Sequence, residues 1–410
     1  MTHRQLKTGY FILAALNTLA SSYYLNYLFF FLRDQFGFGN KENLWVSALH
    51  GFIYTCAAWQ CGKFAERRGF VFSLKVGFLS LAGVMIGGAL LPGVMAQLAM
   101  VAAYSVTLLL TWPALEALVS ERESQAGVQE MVGIYNCTWA GSAAFAYFTG
   151  GKLYDALGKG AIFWLPAGIF IVEFFFVRWL EKQTPLTRPA DTLSPSDGER
   201  AGVRGASHHP EPAAFQQPVS PKAFLKMAWL ANPFAYIAIN TLLAVMPGVA
   251  QKLGLSPTKV GLFCSVWFFG RFAAFALLWK WRGWHYRFRW MLGAFLLLIG
   301  SFAAVLLAHE LWIVVLAQVF LGLAVGLLYY SSLFYSMDVG ETKGEHGGLH
   351  EAFIGVGIFL GPATGATALQ FAAHNPNAGT WAVSTLLTAG VGGLLWLRAR
   401  GKRTKHCATE

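Results

Sequence analysis

The second half of this chain repeats the first at an offset of 214–215 positions. Asn26, in one apolar stretch, is matched by Asn240 in another, and Arg68-Gly69 by Arg282-Gly283. The small-residue ladder Ser142, Ala146, Gly150 returns as Gly357, Gly361, Gly365. One such match is weak, but three at nearly one shift, with apolar stretches falling into register, describe two parallel copies of one helical unit.

What that unit is made of follows from composition. The 410 residues are 56% hydrophobic and 12% charged, with mean hydropathy +0.48. A water-soluble fold cannot hide that much apolar surface, so lipid is the solvent for most of the chain. About 20 apolar residues cross a bilayer, and the sequence offers twelve such runs. They lie near 9–32, 44–63, 72–91, 97–118, 130–150, 160–180, 229–250, 258–280, 290–308, 311–336, 349–372 and 379–397. All are too long and too evenly apolar for barrel strands. The expected fold class is an all-α membrane protein, twelve transmembrane helices in two pseudo-symmetric six-helix bundles. The first run ends in Arg33-Asp34 with no small-residue cleavage site, so it reads as a span and not a signal peptide.

The net charge of +11 is a topology signal. Of the 31 Lys and Arg, only Arg33, Lys41, Lys152, Lys159, Lys252 and Lys259 fall on one side, and Arg271 lies within a span. The rest share the side of both termini, which is therefore expected to be cytoplasmic, in a bacterial inner membrane. No basic soluble domain exists to serve a nucleic acid. Cys56, Cys61, Cys137, Cys264 and Cys407 form no CxxC pair and read as ordinary thiols. Neither metal nor cofactor is expected. Residues 183–221, rich in Pro, Ser, Ala and Gly, read as a flexible cytoplasmic linker between an N-terminal bundle (1–182) and a C-terminal bundle (222–410). His208-His209 within it read as solvated histidines.

Twelve spans, two halves, a long central loop and internal termini resemble the major facilitator superfamily. The sharpest match is Gly62 to Phe70, GKFAERRGF, against the family pattern G-x-x-x-D-R/K-x-G followed by basic residues. Gly62, Arg67 and Gly69 fit, Glu66 replaces the aspartate, and Phe70 stands where a base is usual. The resemblance implies a secondary transporter in which this loop is a conformational latch, its acid meeting a helix N-terminus of the other half. It also implies that the ladders on spans 5 and 11, the latter kinked by Pro362, are packing seams.

Polar residues in lipid are costly, so they nominate the site. Arg271, midway along span 8, has Ala57 as its repeat mate, so the charge belongs to one half. Such a cation suits an anionic group of a solute; a structural ion pair with an acid such as Glu351 is the alternative. Asn26 and Asn240 sit at matched depth on spans 1 and 7. Asn17, Ser21 and Tyr24 make a stripe at i, i+4, i+7. His50, Asn136 (the mate of Glu351), Trp139, Tyr329 and Tyr330 complete an expected lining. Glu351 and Glu116 are candidates for carrying a proton, and Glu173 lies on a span expected to be peripheral. The expected function is secondary active transport of a small polar or anionic solute by alternating access, by a monomer, with protons as a candidate partner and symport one mode. Efflux of amphipathic compounds or lysolipid flipping is the alternative. A membrane-embedded enzyme lacks converging catalytic groups, and a transport-like receptor lacks an added signalling domain.

Overall fold

A computed structural model describes residues 3–183 apart from 122 and 124, then 219–339 and 345–406. Every regular element among them is helical. The first half comprises α1 (His3–Phe36), α2 (Asn40–Arg68), α3 (Phe70–Leu90), α4 (Val94–Leu108), α5 (Trp112–Ser120), α6 (Gln125–Leu157) and α7 (Ala161–Gln183). The second comprises α8 (Pro221–Lys252), α9 (Pro257–Cys264), α10 (Val266–Lys280), α11 (Phe288–Leu307), α12 (Leu311–Val339), α13 (Glu345–Phe371) and α14 (Ala378–His406). The pairs α4–α5 and α9–α10 each make one interrupted span, which gives twelve crossings in two six-span halves. In lipid a backbone must satisfy its own hydrogen bonds, which is why long apolar runs become helices. The expected linker (183–221, with His208-His209) lies almost wholly outside the described residues, as does Cys407.

Nine of these spans are apolar enough to be recognised by hydropathy alone; α1, α2 and α6 are not. Those three carry Asn17, Ser21, Asn26, Asn43, His50 and Asn136, all buried, so their polarity faces protein. Trp164, Trp179, Trp312, Trp381 and Trp396, by contrast, are exposed on the outside, as amphipathic rings facing a bilayer are.

The ladders pack within each half. Gly150 of α6 lies against Tyr23 and Tyr27 of α1, and Gly357 and Gly361 of α13 lie against the α8 backbone at Pro233 and Ile237. Gly365, the last rung, faces Leu44 of α2 in the other half, and further contacts between the halves use positions outside the ladders. Gly51 of α2 meets Phe359 of α13, and Gly355 of α13 meets the backbone of Thr55. Any side chain at either site would strike backbone. Tyr54 also donates to Glu351 across this seam, 2.5 Å away.

At the end of the bundle away from both termini, polar contacts join the halves. Arg33 donates to Gln251. Asp155 at the end of α6 accepts from the Thr258 backbone N–H (3.0 Å) and hydroxyl (2.5 Å), in the first turn of α9. At the terminal end, Gly69 turns the chain between α2 and α3 with φ +93°, a conformation that side chains resist. Its repeat mate Gly283 sits instead in a loop packed by Trp284, His285, Phe334 and Tyr335. Glu66 and Arg67 are exposed, and neither has an ion pair among the described residues.

Candidate functional site

Between the halves lies a cavity of about 200 Å³, lined by α1, α2, α4, α5 and α6 of one half and α8, α10, α12 and α13 of the other. Both interrupted spans reach it. Leu108 and Trp112 line it on either side of the α4–α5 break, and Trp267 and Phe268 follow the α9–α10 break at Ser265. Pro113 in the first turn of α5 cannot continue the hydrogen-bond ladder. Thr111 closes the gap: its hydroxyl donates to the Leu108 carbonyl (2.8 Å) and accepts from Asn17 Nδ2 (3.1 Å). Irregular backbone at membrane depth survives where protein or a cavity surrounds it.

Arg271 of α10 is the centre of the site. It is 4% exposed yet lines the cavity. Close packing at Gly322 and Gly326 brings α12 against the α10 backbone at Arg271, which carries Tyr329 to the guanidinium. Ring centroids lie 4.3 Å (Trp139), 5.1 Å (Tyr329), 5.5 Å (Phe275) and 5.9 Å (Tyr236) from its central carbon. Cation–π attraction over such rings offsets part of the cost of burying the charge. Among the described residues its one hydrogen bond, to Tyr236 Oη, is long at 3.5 Å, and Nε has no partner. Arg271 forms no ion pair among the described residues; Glu351 is held by Tyr54 instead.

Of the other sequence-nominated residues, Asn26, Asn240, His50, Trp139, Tyr329, Glu116 and Glu351 line the same cavity. Asn240 donates to its own helix at Tyr236 O (3.0 Å), and Asn26 Nδ2 has no partner. His50 Nδ1 lies 2.7 Å from Ser105 Oγ, which ties α2 to α4. Three nominated residues fall elsewhere. Tyr24 is fully buried against Tyr104 and Phe163, because the lining face of α1 is Thr18, Ser21, Ser22, Leu25 and Asn26. Of the expected stripe Asn17, Ser21 and Tyr24, Ser21 reaches the cavity and the other two turn away from it. Asn136 is buried behind Trp139 and accepts from its indole N–H at 3.0 Å, so it orients the ring that shelves Arg271. Tyr330 turns toward Phe275 and Trp284. The sequence reading passed over Tyr54, Trp112, Tyr135, Tyr236, Trp267 and Phe268 on the wall. Aromatic residues are common on spans, and only Tyr236, one turn before Asn240, carried a hint.

Three lining side chains hold buried polar atoms with no partner: Asn26 Nδ2, Trp267 Nε1 and Arg271 Nε. All three are N–H donors. Burying a donor unpaired costs about 1–3 kcal/mol, and all three of these atoms are shielded from the cavity by their neighbours. Among the described residues no cluster of His, Cys, Asp and Glu could hold a metal.

Residues 228–408 match the sequence model of the Major Facilitator Superfamily. Three solved structures share the fold over nearly the whole length. A bacterial homolog of the human lysosomal transporter Spinster, inward-facing and unoccupied, is 12% identical, with TM-score 0.65 over 98% of this chain and 97% of that one. The human organic anion transporter TETRAN is 14% identical, with TM-score 0.67 over 97% and 99%. The nucleoside transporter NupG is 13% identical, with TM-score 0.65 over 96% and 98%. No curated protein matches the sequence. At these identities the likeness carries the fold and not the solute.

Proposed function

We propose that the chain is a member of the major facilitator superfamily and a secondary active transporter of a small organic anion. The fold it shares with such transporters over its length and the sequence match over residues 228–408 support the first part. The observation that carries this reading is Arg271, a buried cation facing the cavity that forms no ion pair among the described residues. A planar guanidinium holds a carboxylate through paired N–H donors.

Charge on the wall supports proton coupling. One guanidinium faces two carboxyl groups, Glu116 and Glu351. A bound anion raises the number of acids facing that single cation to three. At an effective dielectric near 20, two like charges 4 Å apart cost about 4 kcal/mol. A proton on one glutamate removes that cost, so anion and proton enter together. Residues 1–182 and 222–410 are the two units that rock about the cavity, with both termini cytoplasmic and the membrane a bacterial inner one. The contacts of Arg33 with Gln251 and Asp155 with Thr258 hold the far side shut in this state, and the Gly62–Phe70 loop latches the opposite state.

Thermal-shift measurements on the purified protein with a panel of monocarboxylates test the assignment. At least one anion is expected to raise the melting temperature of the wild type and leave Arg271→Gln unmoved, with Arg271→Lys intermediate. Equal shifts in wild type and Arg271→Gln would remove Arg271 from the site.

A further inference from the structure

We propose that the solute is an aromatic monocarboxylate whose ring stacks in the cage around Arg271. The proposal deepens the anion-transport reading of the same cavity and rests on it.

Four rings surround the guanidinium, and three of them, Trp139, Tyr236 and Tyr329, also line the cavity. Rings over a guanidinium face leave its N–H edge for a ligand, and a carboxylate lies in that plane. A flat group bonded to this edge is then carried against the ring faces. Those faces are held in place. Asn136 fixes the Trp139 indole, and Trp139 packs edge-on to Phe275 and Tyr329, both at 5.6 Å. A preset cage loses little freedom when a ring enters.

Size and charge narrow the class. A cavity of about 200 Å³ is smaller than the roughly 300–1,000 Å³ that encloses drug-sized ligands, and suits one ring with its substituents. One cation answers one carboxylate. A second anionic group on the solute would meet Glu116 and Glu351 with no second Lys or Arg on the wall, so dicarboxylates are disfavoured.

The test compares benzoate with cyclohexanecarboxylate, which has the same charge and nearly the same size but no flat π face, and with phthalate, which adds a carboxylate. Affinities are measured by calorimetry on the full-length protein in nanodiscs. Benzoate is expected to bind roughly fivefold tighter than cyclohexanecarboxylate, as aromatic pairing allows, with phthalate weakest. In Trp139→Leu the preference for benzoate should fall to about one while residual anion binding persists; in Arg271→Gln binding of both should vanish. If Trp139→Leu does not fold, Tyr329→Leu serves the same comparison. Equal affinities for benzoate and cyclohexanecarboxylate, both dependent on Arg271, would overturn the aromatic class and leave the anion reading standing. Absence of any Arg271-dependent binding would overturn both.

Discussion

Arg271 and Glu173 show how differently two buried charged residues can be treated by one fold. Arg271 reaches a cavity and is wrapped by rings. Glu173 of α7 is fully buried, away from the cavity lining, and neither carboxyl oxygen has a hydrogen-bond partner. The sequence marked both as costly, and burial in contact with the cavity is what separates them. Residue type and spacing nominated nine of the lining side chains, Ser21 of the α1 stripe among them, but the stripe mates Asn17 and Tyr24 turn away from the cavity. Thr18 and Ser22, which reach it, look no more polar than Asn17, which does not, and only packing of α1 against its neighbours decides which of them face inward. A pH effect is expected from His285, outside the spans. Burial lowers its pKa to about 4, with Asp338 opposing that shift and Arg282 adding to it. Between that value and the ordinary ~6.5 the unfolded chain holds more protons than the folded one. Its contribution to stability is therefore full above pH ~6.5 and falls as pH drops toward 4. Melting curves from pH 7.5 to 4.5 should show a smaller acid loss for His285→Phe, which keeps the stack on Phe334, than for wild type.

Helices and their breaks are the next level. Continuous apolar runs made nine of the spans legible, since a backbone in lipid has few other options, and the length and register of the repeat supplied α1, α2 and α6. The interruptions were not legible. Leu109-Leu110-Thr111 and Ser265 are no less helical in composition than their neighbours, and Pro113 alone gave a sign. The ladders were visible as small residues, but that α6 packs on α1 and α13 on α8 depends on tertiary arrangement. Asp155 caps the start of α9 from the opposite half, so it ties the two units through one helix N-terminus. Losing such a cap costs about 1 kcal/mol, or roughly a fivefold change in a two-state ratio. Asp155→Ala is accordingly expected to shift spin-label distances between Gln35→Cys and Lys259→Cys toward longer values. An unchanged distribution would mean that this cap does not bias the equilibrium.

The molecule as a whole is a symmetric scaffold with unequal contents. Asn26 and Asn240, repeat mates, both reach the cavity. The unmatched pairs divide the charge: Arg271 and Glu351 line the wall, whereas Asn136 is buried behind Trp139 and Ala57 is not on the wall. Two copies of a helical unit account for the two-half scaffold, and departures from the copy account for the charge at its centre. The repeat was readable from residue identities alone. The aromatic cage was not, because its rings come from α6, α8, α10 and α12, which only folding brings together. Uptake of radiolabelled hippurate, an aromatic monocarboxylate whose amide slows passive leak, into proteoliposomes with an acidic exterior tests the central claim most directly. Wild-type protein should accumulate it above equilibrium only while the pH gradient stands, and Arg271→Gln should match empty liposomes. Gradient-driven accumulation of equal size in Arg271→Gln would contradict the account.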